Sequence, residues 1–136
     1  MGTRRDFRPF APAVVSESAS KYFEIPEGKE RFYPHMLFVA QTRPEYRDQL
    51  GAVTHVDGSA RLQTVDENEN PRFWALLKQF EELTGLPVIL NTSFNLKGQP
   101  IVKDPVVALE TFVVSNLDAL VIGDFLVTPR DAASGE

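Results

Sequence analysis

The stretch from Asn70 to Leu90 constrains this chain more than any other, because a helix and a strand are written back to back in it. Asn70 can cap a helix with its side-chain oxygen, and Pro71 suits the first helical position. Phe73, Leu76, Leu77, Phe80 and Leu83 recur at helical spacing and predict one apolar face. Gly85 and Pro87 end the helix, and Leu86 to Leu90 then runs apolar without a break. A strand apolar on both faces predicts a central position, covered on both sides.

The other elements are shorter. Phe10 to Val15 reads as a first strand, and Ser16 as the cap of a short helix through Lys21, Tyr22 and Phe23. Residues Pro26 to Pro34 are rich in turn formers, and Met36 to Ala40 predicts a buried strand. Ala52 to Val56 and Arg61 to Val65 read as two strands joined by a turn at Asp57-Gly58-Ser59. In the second arm, Leu62 and Thr64 should face away from Gln63 and Val65. Asp66 to Asn70 is an acidic turn, and Asn91 to Pro100 a polar loop. Asp104-Pro105 opens a second helix with Leu109, Phe112 and Val113 as its apolar face. Ala119 to Ile122 predicts another buried strand, turning at Gly123-Asp124 into Phe125 to Val127. Helices and strands interleave, so the expected class is α/β (α+β) with a mixed sheet. The expected organisation is one domain over residues 1–127 with a disordered tail over 128–136.

Composition narrows the chemistry. The net charge of -5 disfavours nucleic acid and anionic membranes as partners, since both need basic surface. The absence of cysteine excludes disulfides, thiolate metal sites and a Cys nucleophile. With only His35 and His55, a three-histidine metal site is excluded as well. No run approaches the ~20 apolar residues of a membrane helix, and no apolar stretch of signal-peptide type follows Met1, so a cytoplasmic location is expected.

Three polar segments could carry chemistry. Arg4, Arg5 and Arg8 precede the first strand, and a guanidinium suits phosphate or carboxylate; the alternative is a solvated basic segment. His55, Asp57 and Ser59 surround a turn, and His55 with Asp57 could form a general-base pair. The alternative is an Asp-Gly turn whose aspartate bonds its own backbone. Arg61, next to it, reads as a phosphate ligand or as half of a cross-strand ion pair. Asn91, Thr92, Ser93, Asn95 and Lys97 follow a buried strand, where α/β sheets tend to bind ligands; an ordinary polar loop is the alternative. Neither G-x-x-x-x-G-K-[ST] nor G-x-G-x-x-G occurs. His35 is expected to play a surface or packing role, Trp74 to be half-buried core, and Asp66 to Glu69 to be solvated loop.

Four blocks in this order resemble a known family. They are Phe7-Arg8-Pro9-Phe10-Ala11-Pro12, His55-Val56-Asp57-Gly58-Ser59-Ala60-Arg61-Leu62-Gln63, Thr84 through Asn95, and Gly98-Gln99-Pro100-Ile101-Val102. They look like the C-terminal domain of the carbamoyltransferases that include nodulation proteins and antibiotic O-carbamoyltransferases. The resemblance runs from about Arg4 to Val127. It implies a YrdC-like fold, a twisted mixed sheet flanked by helices. It implies binding of carbamoyl phosphate and ATP, with Mg²⁺, to form carbamoyl adenylate. A separate Kae1-like domain, in cis or in trans, would then transfer the carbamoyl group to an acceptor hydroxyl.

On the same resemblance, Arg4 and Arg8 match the arginines of the first block, Arg61 closes the second, and Asn91, Ser93 and Asn95 lie in the N-T-S-F-N loop. Arg8, Arg61 and Ser93 are the implied phosphate or carbamate contacts, and Asn91 and Asn95 position the ligand or the loop. Gly2 and Arg5 depart from the family's lysine and glutamate. With no Kae1-like portion in these 136 residues, a half-reaction is expected rather than complete transfer. The competing expectations are a non-catalytic ligand-binding or interaction module, which could self-associate into a homo-oligomer through its exposed partner face, and an RNA-binding module.

Overall fold

A computed structural model describes residues 10–29, 39–92, 94 and 98–129. The chain divides into two compact units, the first ending at Thr92. The first contains β1 (Ala11–Val15), α1 (Ala19–Tyr22), β2 (Phe23–Glu24), β3 (Ala40–Thr42), β4 (Ser59–Ala60), β5 (Gln63–Val65), α2 (Pro71–Thr84) and β6 (Val88–Asn91). The second contains α3 (Pro105–Val114), β7 (Leu120–Ile122) and β8 (Phe125–Val127). The class is α+β, as the interleaved pattern predicts.

In the first unit β1 is the centre of a mixed sheet of order β5-β1-β6, parallel to β5 and antiparallel to β6. Its Ala13, Val14 and Val15 are all fully buried. Alternation sends them to different sides. Val14 joins Tyr22, Phe23, Leu50, Leu62 and Val88 in one cluster, while Ala13 and Val15 join Val65 and Leu77 in another. Leu62 and Val65 thus serve opposite faces, as their spacing requires. Each fully buried branched or aromatic side chain of this kind contributes about 1.5–3 kcal/mol. A second small sheet, β2-β3-β4, is antiparallel throughout.

Several expectations are corrected. The run Leu86 to Leu90 does not form the central strand: β6 is an edge, and Leu90 is 47% exposed. Val88 and Ile89 do meet the two opposite clusters. The apolar run therefore records two covered faces, and it carries no information on how many strands pair with β6.

Ala52 to Val56 is no strand either. Gly51–Val53 is a 3-10 turn that buries Leu50 and Val53, three residues apart, and exposes Ala52. That is a turn period, and the strand of this region is β4, which pairs with β3 on the side away from β2. Ser16 lies inside a 3-10 turn, Ser16–Ser18, and no side chain caps its start.

Helix α2 keeps its expected ends. The Asn70 side chain accepts from the Phe73 N–H, and Gly85 sits at φ 79 with its N–H on the Glu81 carbonyl. Its buried stripe is narrower than the spacing predicts. Leu77 is buried, Phe73 and Trp74 are half-buried, and Leu76 and Leu83 are exposed. A three-stranded sheet offers too little width to cover the whole apolar face. Trp74 also donates from Nε1 to Glu17 at 2.8 Å.

In the second unit the Asp104 side chain caps α3 by accepting from the Val107 N–H at 2.9 Å. The buried residues are Ala108, Thr111 and Phe112, while Leu109 and Val113 are exposed, so the covered face is rotated from the expected one. Strands β7 and β8 form a hairpin about Gly123-Asp124, with Ile122 opposite Phe125. Val121 and Phe125 are exposed, so β7 is not the buried strand expected at Ala119 to Ile122.

Of the strand expected at Met36 to Ala40, only Ala40 (in β3) and the Val39 before it are described. Residues 30–34 of the expected turn and 130–136 of the expected tail also lie outside the described residues. Among the described residues, no helix is long and apolar enough to cross a membrane.

Candidate functional site

The mixed sheet gathers separate sequence blocks at one end. Strands β1 and β5 are parallel and both begin there, while antiparallel β6 ends there; Ala11 pairs with Asn91 and Ala13 with Gln63. Asn91 and Gln63 therefore flank β1 on either side. Two strand spacings across β1 and a two-residue offset along it separate their backbones, about 12 Å in all. Their side chains nonetheless meet, with Asn91 Nδ2 donating to Gln63 Oε1. The strand between them carries alanines at 11 and 13, whose short side chains leave room for the amides to reach each other over β1.

Arg61 lies two residues before Gln63. It is exposed, while its neighbours Ala60 and Leu62 are fully buried. The chain passes at this point from β4 of one sheet to β5 of the other. Burial on both sides fixes the backbone and turns the guanidinium outward, where it can receive an anion through bidentate hydrogen bonds.

The turn before Arg61 is tightly bonded. The His55 N–H donates to the Ser59 carbonyl at 2.7 Å, and the Gly58 N–H to the His55 carbonyl at 2.9 Å. Gly58 sits at φ 85, the left-handed region glycine favours. Asp57 Oδ1 accepts from the Ser59 N–H at 2.9 Å and from Ser59 Oγ at 2.6 Å. This is the backbone-bonding turn. A relay needs a histidine between serine and carboxylate, whereas here Ser59 bonds Asp57 directly.

The Ser59 hydroxyl, then the Ser59 backbone N–H, with a further contribution from the His55 charge, hold the Asp57 carboxyl below its ordinary value of 3.8. A depressed carboxyl contributes stability that is present above the ordinary value and lost as pH falls through the lowered one. On acid titration followed by NMR, Asp57 is expected to protonate below pH 3.8, with the Ser59 amide shifting in step. Titration at or above the ordinary value would show that the turn bonds are not formed in solution.

Two further arginines, which the motifs do not single out, are engaged nearby. Arg43 donates from Nε to the Ser20 carbonyl at 2.8 Å, and Arg47 from Nε to the Thr42 carbonyl at 3.1 Å. Gln63 also goes unnoticed as a site residue, although alternation with Leu62 is the signal that could have placed it. Of the sequence-derived candidates, Arg61 and Asn91 come to the same end of the sheet. Arg4, Arg8, Ser93 and Asn95 lie outside the described residues. The block Gly98 to Val102 belongs to the second unit. There Gln99, Pro100 and Ile101 line a cavity of about 260 Å³ with Lys103, Asp104 and Thr111. Among the described residues, no group of three or more His, Cys, Asp or Glu is placed to hold a metal ion.

The family profile described as carbamoyltransferase C-terminus matches residues 1–129. The chain belongs to the carbamoyltransferase C-terminus family. It is 47% identical over 130 residues to the nodulation protein NolNO of Sinorhizobium fredii, covering 96% of this chain and 19% of that protein. The nodulation protein NolO of Bradyrhizobium diazoefficiens is also 47% identical over 130 residues, covering 96% of this chain and 24% of the relative. Nodulation protein U of Rhizobium tropici is 43% identical over 109 residues, covering 79% of this chain and 18% of the relative. The chain thus spans about a fifth to a quarter of the length of these relatives. All four motif blocks, and both halves of the Gln63–Asn91 pair, fall within the residues matched to the carbamoyltransferase family.

Proposed function

We propose that this chain binds carbamoyl phosphate and ATP and forms carbamoyl adenylate, which a Kae1-like domain uses to carbamoylate an acceptor hydroxyl. The observation that carries the reading is Arg61: an exposed guanidinium on a rigid backbone, two residues from the Gln63–Asn91 amide pair, in a carbamoyltransferase-family chain. The reaction balances as carbamoyl phosphate plus ATP plus water giving carbamoyl adenylate, phosphate and pyrophosphate. Water hydrolyses carbamoyl phosphate at its bridging P–O bond, so that phosphate departs and carbamate remains. A carbamate oxygen then attacks the α-phosphorus of ATP, and the bond to the β-phosphate oxygen breaks.

Both substrates are dense anions, so their meeting requires fixed positive charge and orientation. Arg61 supplies the charge. Asn91, held by Gln63, presents its remaining amide acceptor and donor in a fixed orientation. Arg8 and Ser93 are assigned to phosphate or carbamate, and Arg4 and Asn95 to substrate binding, by their motif positions alone. The described residues form no carboxylate cage for Mg²⁺. That ion often binds mainly through substrate phosphates, so it would arrive with the nucleotide.

Helix α3 supports the partner half of the reading. Val106, Val113 and Val114 are exposed on an almost wholly apolar helix, a kind of surface normally covered by other protein. The cytoplasm is the proposed compartment, since that is where ATP is available to such an enzyme.

Calorimetry of the full chain with Mg-ATP, alone and with carbamoyl phosphate, tests the proposal. Saturable heats and pyrophosphate release are expected when both are present. Silence with both ligands up to millimolar concentration would overturn the reading.

A further inference from the structure

Arg47 precedes the 55–59 turn by eight residues, yet it lies directly against that turn. A Cβ added to Gly58 would meet the Arg47 guanidinium at 2.6–2.7 Å and Gln41 Oε1 at 2.9 Å. Real Cβ atoms essentially never come so close, so a side chain at position 58 would displace the Arg47 guanidinium, which occupies the space that Gly58 leaves open. Three bonds hold that arrangement. Arg47 Nε donates to the Thr42 carbonyl, the Thr42 N–H donates to the Gly58 carbonyl at 2.8 Å, and the Thr42 hydroxyl meets the Thr54 hydroxyl at 3.0 Å. Thr54 Oγ1 in turn donates to the Leu50 carbonyl at 2.8 Å, so Thr42 is the donor in that pair. Both ends of the turn are thereby tied to the strand it leans on, and three residues after Gly58 the chain reaches Arg61.

From this geometry we infer that Arg47 is a positioning residue: seated on Gly58 and bonded to Thr42, it clamps the turn that aims Arg61 at its anionic ligand. The inference rests on the proposed function. The clamp requires a guanidinium, because Nε must reach Thr42 while the Cζ and Nη2 atoms sit over Gly58; a lysine ammonium cannot do both.

The test uses the full chain, with Mg-ATP as the probe and amide hydrogen exchange as a ligand-free readout. Arg47→Ala should speed exchange at the Thr42 and Ser59 amides while leaving those of α2 unchanged. It should also weaken ATP binding roughly 5- to 10-fold, the scale of one hydrogen bond's worth of ordering. Arg47→Lys should fail to restore either property. Faster exchange with unchanged ATP affinity would overturn the positioning role, as would full rescue by Arg47→Lys, which would mark Arg47 as a charge and not a clamp. If the unaltered chain binds no ATP, the functional reading falls and the positioning role with it. Loss of the effect in Arg47→Ala alone defeats only the inference, so the two failures are distinguishable.

Discussion

Leu62→Ala is expected to lower the unfolding free energy by about 2–5 kcal/mol, the range found when a fully enclosed leucine is cut back and its cavity persists. Leu62 has no exposed surface and packs in the cluster with Val14, Phe23 and Val88, on the face of the mixed sheet opposite to α2. The loss is a large share of the roughly 5–15 kcal/mol that holds a domain folded. Urea denaturation followed by tryptophan fluorescence measures it, since Trp74 is the single tryptophan and packs against the other face of the same sheet. A change below about 1 kcal/mol would mean that this side chain is not enclosed as described.

One residue earlier the opposite result is expected. Arg61→Ala should leave stability within about 0.5 kcal/mol, as exposed substitutions usually do. It should weaken binding of Mg-ATP, in the presence of carbamoyl phosphate, by roughly 10- to 150-fold, since hydrogen bonds to charged groups contribute about 1.5–3 kcal/mol. Arg61→Lys keeps the charge but loses the two-pronged geometry, and should recover only part of the affinity. Unchanged affinity in Arg61→Ala would remove the residue on which the proposed function chiefly rests. The Leu62 and Arg61 pair shows how one short segment divides its work, with one side chain holding the core and its neighbour facing solvent.

Much of this was legible before any coordinates. The caps of α2 at Asn70 and Gly85, the cap of α3 at Asp104, and the turns at Gly58 and Gly123 are all signalled by residues that act on their immediate neighbours. The opposite facing of Leu62 and Val65 follows from strand alternation alone. The family followed from four short blocks and is borne out by the match over residues 1–129.

What the residues could not reveal depends on partners distant along the chain. Periodicity reports how many faces of a segment are covered, and not which strands pair, so Leu86 to Leu90 read as a sheet centre while β1 occupies it. An apolar run at Ala52 to Val56 looks like a strand until Leu50 and Val53 are seen buried one turn apart. The width of the sheet beneath α2 decides that Leu77 is covered and Leu83 is not. Local chemistry thus determined the capped helices, the turns, the alternation and the family of this chain, because each acts within a few residues. Only the tertiary structure decided that Asn91 meets Gln63 over two alanines and that Arg47 rests on Gly58. Those contacts join residues 28 and 11 positions apart, and they depend on strand order and on the space a missing side chain leaves.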